Sequence, residues 1–176
     1  MPKVYDFRER NEAQEGYVEA FRQYLSGRSD LIRVYYPTKE QDLSGIDLIA
    51  DIENSDSINF QVKTDFQVHK TDFLPYEVIS QAYVQKTSVI GWGFNIEHFD
   101  YIAYINAQDG EVFICDIENL AAWVIDNFGA LRTFVAKNKG YFTLGVLLPF
   151  SIVRKIAFST GSLQETIAFK NIKSKE

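Results

Sequence analysis

The chain has 176 residues, 46% of them hydrophobic and 15% aromatic, with 18 Lys and Arg against 24 Asp and Glu for a net charge of −6. Residues 1–176 hold enough apolar material for one well-filled core and are short for two, so one domain is expected. The start, "MPKVYDFRER", is too charged for a secretory signal, and no apolar run approaches the roughly 18 residues needed to span a bilayer, so a cytoplasmic chain without membrane contact is expected.

The residue counts narrow the chemistry further. A single cysteine, Cys115, excludes an intrachain disulfide and a Cys-cage zinc site, and its strand-like surroundings "EVFICDI" read as those of a buried structural thiol. The only histidines, His69 and His98, lack a motif partner, which leaves histidine-rich zinc hydrolase and HNH-type sites without ligands. Net negative charge weighs against binding a polyanion, but it is unevenly spread. Residues 1–131 carry 10 Lys and Arg against 22 acids, a net of −12, whereas residues 132–176 carry 8 against 2, a net of +6. That basic C-terminal segment suits a solvated surface and a phosphate-contacting face equally.

The elements follow in order. Asn11 as cap, Gln14 in capping-box position and Gly27 beyond the end predict a helix over 12–25, with Val18, Phe21 and Leu25 as its apolar stripe and Glu15 at the stripe's edge. "LIRVYY" reads as a strand closed by Pro37, and the polar loop "TKEQDLSG" leads on to "IDLIADIE". There Ile46, Leu48, Ala50 and Ile52 share one face and Asp47, Ile49, Asp51 and Glu53 the other. In "INFQVKT", Ile58, Phe60 and Val62 lie opposite Asn59, Gln61 and Lys63. "NSDS" supplies turn residues, so the two runs read as an antiparallel hairpin.

Register makes a sharp demand on that hairpin. Directly opposed residues share a face, so Asp47 joins Gln61 and Lys63 only if paired numbers sum to an even value, such as Asp47 opposite Lys63 at 110. A plain four-residue loop over 54–57 gives an odd sum, so a loop of three or five residues, or a bulge, is expected. Beyond a loop holding His69 and Lys70, Pro75 fits the first turn of a helix through Lys86. "GWGF" marks a turn; "FDYIAYINA" and "EVFICDI" form two strands joined through "QDG"; "ENLAAWVIDNFG" is a helix ending at Gly129. "YFTLGVLLPF" is a strand and "SIVRKIAF" a short helix. Trp92, Trp123 and the tyrosines of "VYY" read as core. The order predicts an α/β domain with a mixed sheet.

A helix with an acid, a strand, a strand opening "SGIDLIA", a strand carrying "FQVKT", then helix and strand: over residues 11–107 this resembles the PD-(D/E)xK nuclease superfamily, in a variant with Gln-x-Lys on the catalytic strand. The resemblance implies a restriction endonuclease-like core, a central mixed β-sheet flanked by helices in α-β-β-β-α-β order. It implies a Mg²⁺-dependent DNA endonuclease, with Mn²⁺ as the alternative ion, acting on double-stranded DNA, and by family analogy a homodimer or higher homo-oligomer.

Carried onto this sequence, the resemblance makes Asp47 a metal ligand, puts Gln61 in the second ligand position and has Lys63 hold the water or stabilise charge on the phosphate. It matches Glu15 to the acid of the first helix, with Glu19 and Glu12 as alternates, and Gln81 to a supporting polar residue on the following helix. Lys70 and His69 are placed to meet nucleic acid. Gln61 in place of an acid removes a negative charge from the metal site, and Lys63 beside a carboxylate is expected to stay protonated. Each residue has a plainer reading too: a strand start for Asp47, an exposed lysine for Lys63, a helix-dipole partner for Glu15 and a solvated loop for His69 and Lys70. The alternative function is a catalytically inactive nuclease-fold module binding nucleic acid or protein.

Overall fold

The computed structural model describes residues 7–66, 68–83, 87–108, 110–138, 140–157 and 167–168. Two sheets and the helices around them organise these residues. Helix α1 (Phe7–Ser26) is followed by β1 (Leu31–Tyr35), a one-turn α2 (Lys39–Leu43) closed by a Thr38/Gln41 capping box, and the strands β2 (Leu48–Ile52) and β3 (Ile58–Asp65). Next come a short α3 (Val68–Thr71), β4 (Phe73–Ala82), β5 (Val89–Ile90), a 3₁₀ turn at Trp92–Phe94, β6 (Tyr101–Asn106) and β7 (Glu111–Asp116). The remainder comprises α4 (Ile117–Asn127), a 3₁₀ turn at Phe128–Ala130, β8 (Arg132–Lys137), β9 (Phe142–Pro149), α5 (Phe150–Ala157) and β10 (Ile167–Ala168).

The central sheet runs β1-β2-β3-β6-β7-β10; β3 and β6 are parallel and the other pairs antiparallel. Its two faces bury different cores. On one, Leu48, Ala50, Phe60, Val62, Ala103 and Ile105 meet the α1 stripe of Val18, Phe21 and Leu25. On the other, Ile49, Ile102, Tyr104, Phe113 and Cys115 meet Leu74 and Tyr76 of β4, Val146 and Leu148 of β9, and apolar residues of α4 and α5. This double covering explains an apolar Ile49 between Asp47 and Asp51. It also means that Gln61 and Lys63 face the second core rather than open solvent. The mixed sheet flanked by helices agrees with the expected fold class.

Several expected elements differ. Helix α1 already includes Asn11, which therefore sits inside the helix and does not cap it. The helix expected from Pro75 is instead β4, in a four-stranded sheet ordered β5-β4-β9-β8. Leu74 and Tyr76 point into the core while Pro75 is exposed, a period of two that outweighs the helix-start signal of the proline. Strand β8 has no counterpart in the sequence reading. Its side chains are almost all exposed, so no alternation marks it. Tyr36, expected in the core, is 52% exposed and donates its hydroxyl proton to Glu19. No helix among the described residues is long and apolar enough to cross a membrane.

Candidate functional site

The β2–β3 hairpin sets the geometry. The observed pairs Leu48↔Phe60, Ile49↔Asn59 and Ala50↔Ile58 each sum to 108, so seven residues, 51–57, separate the last paired positions: an odd number, as parity requires, but longer than the three or five expected. The even sum puts Asp47 on the face of Gln61 and Lys63. It also sets Asp47 level with Gln61, a shift of two residues from an Asp47–Lys63 opposition. Asn54 takes up the turn with φ of 58°, a left-handed conformation that asparagine tolerates.

Asp47 is stitched to β3 on both sides of Gln61. Its N–H donates to the Phe60 carbonyl at 2.8 Å, and its Oδ2 accepts from the Val62 N–H at 2.6 Å. Among the described residues no hydrogen bond reaches Oδ1. Burial raises the Asp47 pKa, against the opposing pulls of Lys63 and the Val62 N–H. Gln61 is 5% exposed, and its Oε1 has no hydrogen-bond partner among the described residues. An orphaned buried acceptor is costly, on the order of 1–3 kcal/mol, and calls for an explanation. Beside this amide lies Gly45, whose φ of +98° disfavours any side chain, though an ideal Cβ there would sit in ordinary contact 3.5 Å from Gln61 Nε2.

Lys63 is half-buried, with Nζ 5.4 Å from the centroid of the Trp92 ring. Its pKa is lowered, because burial outweighs the attraction of Asp47 and Glu77. Charge attraction was expected to dominate; the core over this face reverses the direction. Glu77, on β4, was missed altogether. The alternation of Leu74, Tyr76 and their polar neighbours in "FLPYEVIS" is the signal that could have placed it on a strand.

Glu15 is exposed on α1 and lines, with Asp47, a cavity of about 660 Å³ whose other walls are Gln14, Val18, Tyr36, Pro37, Lys39 and Asp42. Gln61 and Lys63 do not line that cavity. Asp47, at the strand end, is the residue shared between Glu15 on one side and the Gln61–Lys63 face on the other. Glu19 is committed elsewhere: Arg22 at 2.7 and 2.8 Å, Gln23 and Tyr36 all bond its carboxylate, and these contacts, Arg22 foremost, hold its pKa at about 2. The side chain of Glu12 lies outside the described residues, as does that of His69. Lys70 is exposed on α3. Gln81 is on β4 rather than a helix, and its side chain accepts from the Tyr83 hydroxyl at 2.5 Å.

The donor set fits a hard cation in one respect. Asp47 Oδ1 and Gln61 Oε1 are two oxygens on adjacent strands at one level, and Mg²⁺ commonly takes one or two protein oxygens and keeps waters for the rest. Among the described residues no group of three or more His, Cys, Asp and Glu could hold a metal ion.

No family model and no curated protein matches the chain. Among solved structures, it is similar to a bacterial homing endonuclease, I-Ssp6803I, at 13% identity and a TM-score of 0.47, covering 66% of this chain and 73% of that one.

Proposed function

We propose that this chain is a divalent-metal-dependent DNA endonuclease whose site is built from Asp47, Gln61 and Lys63, with Glu15 at its margin. The observation that carries the reading is Gln61 Oε1, buried without a partner among the described residues at the level of the Asp47 carboxylate, which uses only Oδ2 toward β3. A Mg²⁺ or Mn²⁺ ion held by this pair would make a water nucleophilic near neutral pH and offset charge on a phosphate. Asp47 orients the site through its two bonds to β3. Lys63 would donate to a non-bridging phosphate oxygen, where charge builds as the water oxygen joins phosphorus and the P–O bond to the leaving sugar oxygen breaks, the proton lost by the water passing through solvent to that oxygen. Glu15 supplies a second carboxylate from the cavity side.

Purified protein incubated with duplex, branched and single-stranded DNA, with Mg²⁺ or Mn²⁺, should cut at least one substrate and lose that activity on chelation. Absence of cleavage, or full activity in Asp47→Ala and Lys63→Ala, would overturn the reading. A second reading is an inactive module that only binds, in keeping with the lack of a three-acid cluster among the described residues. Gln61→Glu separates the two. It strengthens cation binding and cleavage in an enzyme and creates neither in an inactive module.

A further inference from the structure

The "GWGF" turn, which the sequence marks only as a break, packs against this site. A methyl group at Gly91 would lie 2.4 Å from the Glu77 carbonyl oxygen, and one at Gly93 would lie 2.3 Å from Cε1 of Tyr76. Only glycine lets the turn press this closely on β4. The Gly91 N–H donates to the Val78 carbonyl at 2.8 Å, and the Tyr76 hydroxyl donates to the Gly93 carbonyl. The turn is thus pinned on both sides of Trp92. The indole is 8% exposed and meets the rings of Tyr76 and Tyr104 edge-on, at 5.1 and 6.0 Å. Its ring faces the Lys63 ammonium. An ammonium over an indole is attracted by the ring's quadrupole, more strongly where water is excluded. A flexible lysine stem otherwise samples many rotamers.

We propose that Trp92 is a positioning residue: the Gly91–Gly93 turn fixes its indole as a floor beneath Lys63 and so holds the ammonium beside Asp47 and Gln61. This role rests on the endonuclease reading, yet the contact itself can be tested without it.

In a Trp123→Phe background Trp92 is the one remaining tryptophan, and its fluorescence reports the cation above it. Lys63→Met should change the Trp92 emission maximum or intensity, and Lys63→Arg, which keeps a cation on the ring, should change it less. Unchanged emission in Lys63→Met overturns the proposal whether or not the protein cuts DNA. In the cleavage assay, at equal folded fraction by circular dichroism, Trp92→Phe should lose roughly 2-fold in kcat and Trp92→Leu roughly 10-fold, with KM for DNA held. Equal kcat for Trp92→Leu and wild type, or a loss confined to KM, overturns it. Should Trp92→Leu not fold, emission and the Trp92→Phe kcat decide. A wild-type protein that cuts nothing defeats the endonuclease reading, and emission still decides whether Lys63 rests on Trp92.

Discussion

Replacing Gln61 with leucine separates stability from function. The side chain is 5% exposed and its Oε1 has no partner among the described residues, so without a cation it is a desolvated acceptor. Such a group costs about 1–3 kcal/mol, and an apolar side chain of similar size removes that cost. Gln61→Leu in EDTA should therefore unfold about 1–2 kcal/mol later than wild type in urea. For a chain of this length that is a rise in Tm of roughly 2–8 °C. Adding Mg²⁺ should reverse the order. A cation that binds only the folded state contributes about 2.7 kcal/mol at a hundred times its Kd, and Gln61→Leu forfeits most of that gain. Urea melts of both proteins, with EDTA and over a Mg²⁺ series, give the four numbers required. A leucine variant at least 1 kcal/mol less stable in EDTA, or an equal Mg²⁺ increment in both proteins, would refute the reasoning.

Other sites give independent checks. Burial pushes the Cys115 thiol up to about 12, so a disulfide reagent should react with it only on unfolding; rapid labelling of native protein would contradict the buried assignment. Glu19 is held at about 2 by Arg22, Tyr36 and Gln23, so its stabilisation is present above about pH 4.5 and is lost as pH falls through the folded value. The pair is about a third exposed, so solvent screens much of that contribution. The stability difference between wild type and Glu19→Gln should accordingly shrink between about pH 4.5 and 2, and a constant difference in urea melts would sink the claim. At Gly145 a Cβ would lie 2.3 Å from the Tyr76 carbonyl oxygen and 2.5 Å from the Phe134 ring. Gly145→Ala should cost about 2–3 kcal/mol in the same assay, and a loss under about 0.5 kcal/mol would contradict that packing.

The sequence was informative where structure is local. Alternation in two neighbouring strands located β2 and β3, and parity alone required an odd loop or a bulge before Asp47 could share a face with Gln61. The seven residues between Ala50 and Ile58 meet that parity, though not the expected length. Non-local structure was the part that could not be read. β4 pairs with β9 across residues such as Tyr76↔Val146, a partnership no window of sequence contains. Pro75 was then free to suggest a helix, and Glu77 and Gln81 were lost or misplaced with it. The same hidden sheet covers Gln61 and Lys63, which is why burial, not the neighbouring carboxylate, sets the direction of the Lys63 shift. Trp92 was assigned to the core correctly, but its contact with Lys63 depends on a turn pressed onto that unseen strand.

Diffraction from crystals grown with Mn²⁺, recorded at the manganese edge, tests the cation site most directly. An anomalous peak about 2.1 Å from Asp47 Oδ1 and Gln61 Oε1 is the expected result. No peak there, or one among Asp100, Asp116 and Glu118 around the cavity at the other end of the strands, would contradict it.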